Sequence, residues 1–113
     1  MRVKYKKKSI EIKAFKVDLI GKILGLMFRN RDYENLLFDF GYNGRHVIHS
    51  FFVFFDFLAV WLDDENNVID WKIVKPFDAL VQPKKSCRKL IEIPFNKKNK
   101  KIWSFFVGKI GKI

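Results

Sequence analysis

HSFFVFFDFLAVWLD, residues 49–63, is the most apolar stretch of the chain, and between Phe51 and Leu62 only Asp56 interrupts it. Its Phe, Val and Trp side chains favour strands, so we predict two consecutive core strands that bend or turn near Asp56. A buried helix is the alternative, because a short apolar run is compatible with both structures. Polar residues do not alternate with the apolar ones, which predicts that both faces of these strands are covered.

Length and composition limit the kind of protein. A chain of 113 residues suits one domain. The apolar run is shorter than the roughly 20 residues that a membrane-spanning helix requires, and the N-terminus has the charge of a signal peptide without its apolar segment. The single cysteine, Cys87, can form no internal disulfide, which suits a reducing compartment. We therefore expect a cytoplasmic protein without a transmembrane segment.

The net charge of +11 resides at the two ends of the chain. Residues 9–96 contain 12 basic and 12 acidic side chains, whereas residues 1–8 add five positive charges and residues 97–113 add six. Basic ends that share a surface would attract polyanions such as nucleic acid. The structural alternative is that the lysines keep an edge strand and a tail soluble. The candidate polyanion-binding residues are Lys6, Lys7, Lys8, Lys97, Lys98, Lys100 and Lys101.

Hydrophobic periodicity on either side of the central stretch indicates more strands than helices. Strands are expected at residues 2–6, 10–15, 36–40, 68–74 and 90–93. A short helix is expected at about residues 18–25, with Asp18 as its N-cap and Gly25 at a left-handed end. Residues 41–45 are interpreted as a connection, and residues 63–67, DDENN, as a turn.

Residues 96–113 form a basic and aromatic tail. A helix here would place apolar side chains on one face, which suits docking on the domain or on a membrane surface. Gly108 and Gly111 weaken an isolated helix, so a last strand with a frayed end is equally compatible. Trp103 and Tyr42 are the aromatic side chains that we expect to be most exposed.

Several short segments follow a common pattern. GLMFR at residues 25–29 and LLFDF at 36–40 precede the central stretch, which itself resembles H-T-F-F-M-R-F-P-I-D-V-V-F-L-D. VIDWKIVKPF at residues 68–77 and LIEIP at 90–94 follow it, the latter in place of an L-E-L-P close. Over most of residues 10–94 the chain resembles the DUF192 family, also called UPF0127, of uncharacterised bacterial and archaeal proteins.

The resemblance implies a small, mainly β fold, an open β-barrel with one or two short helices, and no established activity. It indicates a β-rich domain at residues 1–95 and a C-terminal extension at residues 96–113. The sequence departs from the family pattern at the central stretch, where Phe54 replaces an Arg and Leu58 replaces an Asp. Asp56, two residues before Leu58 and on the same strand face, is a speculative stand-in for that Asp.

The candidate ligand-binding residues are Arg29, His49 and Asp56. His49 would serve as a base or ligand, and Arg29 would bind an anion. The structural alternative is that Arg29 anchors a turn and His49 caps a strand. Two histidines three residues apart, with no third partner, make a metal site improbable. Cys87, between basic pairs, has either a lowered pKa or a purely structural role in a strand.

The sequence contains no arrangement of nucleophile, base and orienting residue. We therefore predict no catalytic residues, no metal and no cofactor, and we favour a non-enzymatic role without deciding it. The function that the sequence favours is a β-barrel module that binds a small molecule or a protein. The alternative is non-specific binding of nucleic acid through the basic ends.

Overall fold

The computed structural model describes residues 1–18 and 25–110. In these residues the strands are β1 (Arg2–Tyr5), β2 (Lys8–Glu11), β3 (Phe15–Lys16), β4 (Leu36–Gly44), β5 (Phe57–Leu62), β6 (Val68–Val74) and β7 (Cys87–Pro94). A short 3-10 helix, Lys97–Asn99, leads into the helix α1, Lys100–Val107.

The strands form a hairpin and one larger sheet. β1 and β2 pair antiparallel, and the other five strands pair in the order β3-β4-β7-β5-β6. β3 and β4 are parallel, and the remaining pairs are antiparallel. The mainly β prediction is confirmed. The open barrel stays a prediction, because the sheet is not closed and a single isolated bridge, between Lys4 and Asn67, links the hairpin to the edge next to β6.

β5 lies between β7 and β6, and all six of its residues are buried. Both faces of this strand are covered, as the unbroken apolar run predicts. On one side, the helix face, sheet residues pack against the hairpin and α1; these sheet residues are Leu58, Val60, Leu62, Ile91 and Ile93. On the other side, the pocket face, sheet residues pack against the loops; they are Leu36, Phe38, Phe57, Ala59, Trp61 and Leu90.

The prediction of a strand before Asp56 is wrong. Ser50 bonds instead to the loop that follows β6: its N–H donates to Asp78 O at 2.8 Å, and its carbonyl accepts from Phe77 N at 2.9 Å. The Ser50 hydroxyl also accepts from the Asp78 N–H at 2.6 Å. Phe52 has φ of 60°, which no strand accommodates. The segment is therefore an irregular loop: the backbone of Ser50 bonds to residues 77–78, and the Phe52 carbonyl accepts from the Phe28 N–H at 2.9 Å.

The tail is helical over Lys100–Val107 and docks on the sheet, so of the two alternatives left open by the sequence the structure shows the helix. The indole N–H of Trp103 donates to both Ile93 O and Pro94 O, each at 3.2 Å. Trp103 is 3% exposed, so its predicted exposure is wrong. The sequence does not show that the sheet offers a groove for this ring. Tyr42, at 64% exposure, confirms the other half of that prediction.

The remaining local predictions have mixed outcomes. The β1–β2 hairpin and the turn after β5 are confirmed, the latter held by Asp63, whose carboxylate accepts from the N–H groups of Glu65 and Asn67. The connection at residues 41–45 is wrong, because β4 continues to Gly44 with an irregular register. Most of the predicted helix at residues 18–25 lies outside the described residues. In the described part of the chain, no helix has the length and apolarity to cross a bilayer.

Candidate ligand-binding site

Glu92 occupies the centre of the sheet. It lies on β7, the middle strand, and its neighbours in register are Leu36 on β4 and Ala59 on β5. Side chains alternate along a strand, so Ile91 and Ile93 lie on the helix face while Glu92 points to the pocket face.

The carboxyl group of Glu92 is buried without a compensating partner. The residue is 5% exposed, and its Oε1 has no hydrogen-bond partner among the described residues. Burial disfavours the charged form and raises the pKa of Glu92 from its ordinary value of 4.5 to about 8. At neutral pH the group is therefore mostly a neutral acid, which avoids the cost of an unpaired buried charge.

A cavity of about 120 Å³ lies over this carboxyl group. Its walls are largely apolar, and they come from β4, β7 and the loops that cover the pocket face. The apolar lining residues include Leu26, Met27, Phe38, Phe40, Val53 and Leu90. Ligand pockets are likewise mostly apolar with a few polar groups, but they usually measure roughly 300–1,000 Å³, so this cavity would hold only a small group.

Gly25 packs closely against the carboxyl group at one side of the cavity. A Cβ at this position would come within 3.1 Å of Glu92 Oε1 and 3.5 Å of the Phe38 ring. Gly25 also has φ of 52°, the left-handed conformation that its position after the predicted helix suggests. Both the space and the backbone conformation therefore require glycine here.

His49 lies at the rim of the cavity, and of the three predicted ligand-binding residues it is the one that lines it. It is exposed, and with Val47 it borders the opening to solvent. The His49 Nδ1 accepts the N–H of Phe51 at 3.2 Å. In the neutral ring the proton is then on Nε2, which leaves this nitrogen as a donor at the rim.

Arg29 and Asp56 do not line the cavity. The Arg29 guanidinium lies over the ring of Tyr33, 4.5 Å from its centroid. The Asp56 carboxylate pairs with Lys75 Nζ at 2.6 Å, a surface ion pair of small energetic value. The structure therefore separates the three predicted residues and places Glu92 beside His49 instead.

The basic ends fold into one layer over the helix face. Tyr5, next to the hairpin turn, contacts the rings of Phe105 and Phe106, with centroids 6.4 and 5.6 Å away. Lys13 and Lys98 line one shallow depression of this layer. The N-terminal candidates lie at the hairpin turn, and the C-terminal ones lie in the 3-10 helix and the first turn of α1: Lys6, Lys7 and Lys8, and Lys97, Lys98, Lys100 and Lys101. α1 itself is only about 12 Å long.

An exposed aromatic cluster lies on the outer side of the loops that line the cavity. Phe28 stacks on Phe52 with centroids 5.1 Å apart, and Phe77 contacts both Phe52 and Phe54. These four side chains are 46–67% exposed. Phe28, Phe52 and Phe77 all have left-handed backbones, an unfavourable conformation for such side chains. The sequence interpretation places Phe52 and Phe54 in core strands, so it misses this surface.

Two other sequence candidates have structural roles. Cys87 is buried, and this burial raises the pKa of its thiol, so the interpretation of a reactive, lowered-pKa cysteine is wrong. The flanking basic side chains do not offset this loss of solvation. Among the described residues, no group of three or more His, Cys, Asp or Glu converges as a metal site would require.

No protein-family model matches the chain, and no curated protein matches it significantly. A "putative transcription regulator" from Sinorhizobium meliloti 1021 has a similar structure, with a TM-score of 0.73 and 15% identity over 89% of this chain and 82% of that one. A protein of unknown function from Novosphingobium aromaticivorans DSM 12444 is also similar, with a TM-score of 0.71 and 13% identity over 89% of this chain and 75% of that one. At these identities the similarity shows the fold alone, and the DUF192 resemblance stays a prediction.

Glu92 is the site residue that the sequence interpretation misses. Its signal is present in LIEIP, where one carboxylate interrupts an otherwise apolar strand. Such a residue is usually at a solvent-facing position of a half-exposed strand. Only the pairing of this strand between β4 and β5 shows that neither face reaches solvent.

Proposed function

We propose that the protein binds a small ligand in the cavity over Glu92. The observation that carries this proposal is a buried carboxyl oxygen that has no hydrogen-bond partner among the described residues and belongs to a residue in the lining of a cavity. Buried polar groups are nearly always satisfied. A ligand that bonds to Glu92 would satisfy this one, and its apolar part would contact the surrounding Leu, Met and Phe side chains.

The ligand would bind at the open end of a barrel-like arrangement. The protein would be a divergent DUF192 member, and it would act in the cytoplasm. The position at which that family pattern has the Glu of L-E-L-P is Glu92 here. The cavity size limits the ligand: a 150 Å³ cavity holds benzene, so about 120 Å³ accepts a group of roughly five non-hydrogen atoms. His49 would contact a larger ligand at the rim.

We expect a tryptophan at the cavity mouth to abolish ligand binding. Val47 lines the opening and is half exposed, so Val47→Trp blocks access without disturbing the core. In a screen of small fragments by thermal shift, a ligand at 100 times its Kd stabilises the wild type by about 2.7 kcal/mol. This stabilisation should be absent in Val47→Trp.

The matched control is Leu80→Trp, which adds the same ring at an exposed position outside the cavity lining. It should respond to the fragments as the wild type does. A screen in which no fragment stabilises the wild type would refute the proposal, as would equal responses from the two tryptophan variants.

A second candidate function is non-specific polyanion binding by the basic layer. The observation that favours it is that the N-terminal hairpin and α1 pack together on one face of the sheet, so both basic ends belong to one surface. The description of the similar Sinorhizobium protein is compatible with a nucleic-acid partner, although the fold similarity does not transfer that role.

We expect binding of double-stranded DNA to weaken steeply with salt if the basic layer is a polyanion site. Replacing Lys100 and Lys101 by Gln should lower the affinity and reduce the slope of log K against log salt by about 2, roughly one per phosphate contact. Lys84→Gln with Lys85→Gln is the matched control, because these two exposed lysines lie outside the layer. Equal effects of the two double variants would eliminate this candidate.

A further inference from the structure

We infer that the ligand of the Glu92 cavity is a small alkylammonium ion, whose charged nitrogen pairs with the carboxylate and whose alkyl chain lies against the apolar walls. This inference rests on the proposed function and specifies its ligand class. The two sources of such a group are a free amine and the side chain of a lysine on another polypeptide.

The composition of the cavity wall selects the charge of the ligand. An anion would meet the Glu92 carboxyl group and no described cationic side chain within the lining. A divalent metal requires several oxygen or nitrogen ligands, and the described lining offers one buried carboxyl group and one exposed imidazole. The charge of a monovalent organic cation, in contrast, is balanced by a single carboxylate.

Aromatic walls favour the same class. Phe38 and Phe40 both line the cavity, and their stacked rings have centroids 6.3 Å apart. The ring of Phe40 also stacks on the ring of His46, with centroids 3.9 Å apart, and this contact restricts its orientation. Cations are attracted to aromatic faces, so a cation in this cavity would gain from Phe38 or Phe40 wherever it meets the face of the ring.

The cavity dimensions select the alkyl length. A straight chain of four carbons and one nitrogen has five non-hydrogen atoms, which matches the estimate from cavity volume. n-Butylammonium and the end of a lysine side chain have this same composition. The apolar residues Leu26, Val53 and Leu90 would contact the carbons.

Binding of a cation requires the ionised form of Glu92, so it must release a proton at neutral pH. Glu92 ionises with a pKa of about 8, and the other described titratable group at the cavity is His49. The residues paired with Glu92 on both neighbouring strands, Leu36 and Ala59, are uncharged. Because the competent form is a minor fraction, apparent affinity should improve about tenfold from pH 6 to pH 7.

The test is NMR titration with n-butylammonium chloride, with 1-butanol as the uncharged probe of equal size, at pH 6, 7 and 8.5. We expect the amine to shift the signals of Val53, Leu90 and Glu92, with affinity rising about tenfold over the first step. Glu92→Gln keeps the shape of the side chain but cannot ionise; it should bind the amine at least tenfold more weakly and lose the pH dependence.

Each result separates the hypotheses. Equal, pH-independent binding of butanol and butylammonium would overturn the alkylammonium inference while leaving the cavity as a ligand site. Absence of any binding by the amine also overturns it, and the fragment screen then decides the proposed function independently. N-acetyl-lysine methylamide is the third probe: tighter binding than butylammonium identifies a polypeptide lysine as the source, and weaker binding identifies a free amine.

Discussion

Between pH 4.5 and pH 8 the Glu92 carboxyl group should make the wild type progressively less stable as pH rises, and Glu92→Gln should abolish this pH dependence. In the folded protein, burial holds the pKa of Glu92 at about 8, against 4.5 ordinarily. That difference of about 3.5 units corresponds to up to about 5 kcal/mol in the free energy of unfolding. Glutamine does not ionise, so its contribution is constant across this range.

The direction of the effect follows from proton binding. Between pH 4.5 and pH 8 the folded chain retains the proton on Glu92 while the unfolded chain has lost it. Because the folded state binds more protons, the contribution of Glu92 to stability is greatest below pH 4.5 and falls as pH rises towards 8. Asp39 and Asp63, whose pKa values are lowered by backbone hydrogen bonds, act in the opposite direction and at lower pH.

The measurement is urea unfolding of the wild type and Glu92→Gln at closely spaced pH values. Subtracting the two curves cancels the titration of every other group. Glu65→Gln, at an exposed position, is the control, and it should leave the wild-type profile nearly unchanged. A difference curve that is flat from pH 4.5 to pH 8 would contradict the account of Glu92.

Trp103→Ala should cost about 3–5 kcal/mol of stability, the range for deleting a large buried aromatic ring. Its ring is nearly inaccessible and packs edge-on against Phe95, with centroids 4.6 Å apart. The substitution also removes the indole N–H that bonds to the carbonyls of Ile93 and Pro94. Denaturant unfolding at constant pH measures the loss.

Ser104→Ala is the matched control on the same helix. Ser104 is exposed, and such surface substitutions usually change stability by less than about 0.5 kcal/mol. Equal stabilities of the two variants would show that α1 does not contribute to the core. A large loss confined to Trp103→Ala would establish that the tail is part of the folded unit.

Much of the fold can be predicted from the sequence because alternation and turn chemistry are local. The hairpin of β1 and β2, the tight turn held by Asp63, and β6 all follow from patterns within about ten residues. The fully covered β5 follows from its lack of polar residues. The tail shows only an amphipathic pattern, and its choice between helix and strand depends on the groove beside Ile93.

The errors arise where distant segments decide the local structure. Phe51 to Phe55 have the composition of a strand, but Ser50 bonds to residues 77–78 and turns the chain away. Half of that apolar segment consequently forms an exposed surface, with Phe52 and Phe54 in an aromatic cluster. No local pattern predicts such a partner.

The candidate site illustrates the same limit. His49 is identifiable as the polar residue that begins the apolar stretch, and it does line the cavity. Glu92 is not identifiable, because its burial depends on β4, β5 and the loop at Gly25, which are distant in sequence. Arg29 and Asp56 lie near in sequence to lining residues, but their side chains pair elsewhere.

The central claim is that Glu92 is a buried carboxyl group facing a ligand cavity, and its own ionisation tests that claim most directly. A ¹³C NMR titration of the side-chain carboxyl carbon reports this quantity without relying on stability or on a chosen ligand. We expect a pKa of about 8 in the free protein. A pKa near 4.5 would show that water or an ionic partner already solvates the group, and it would contradict both the burial and the proposed site.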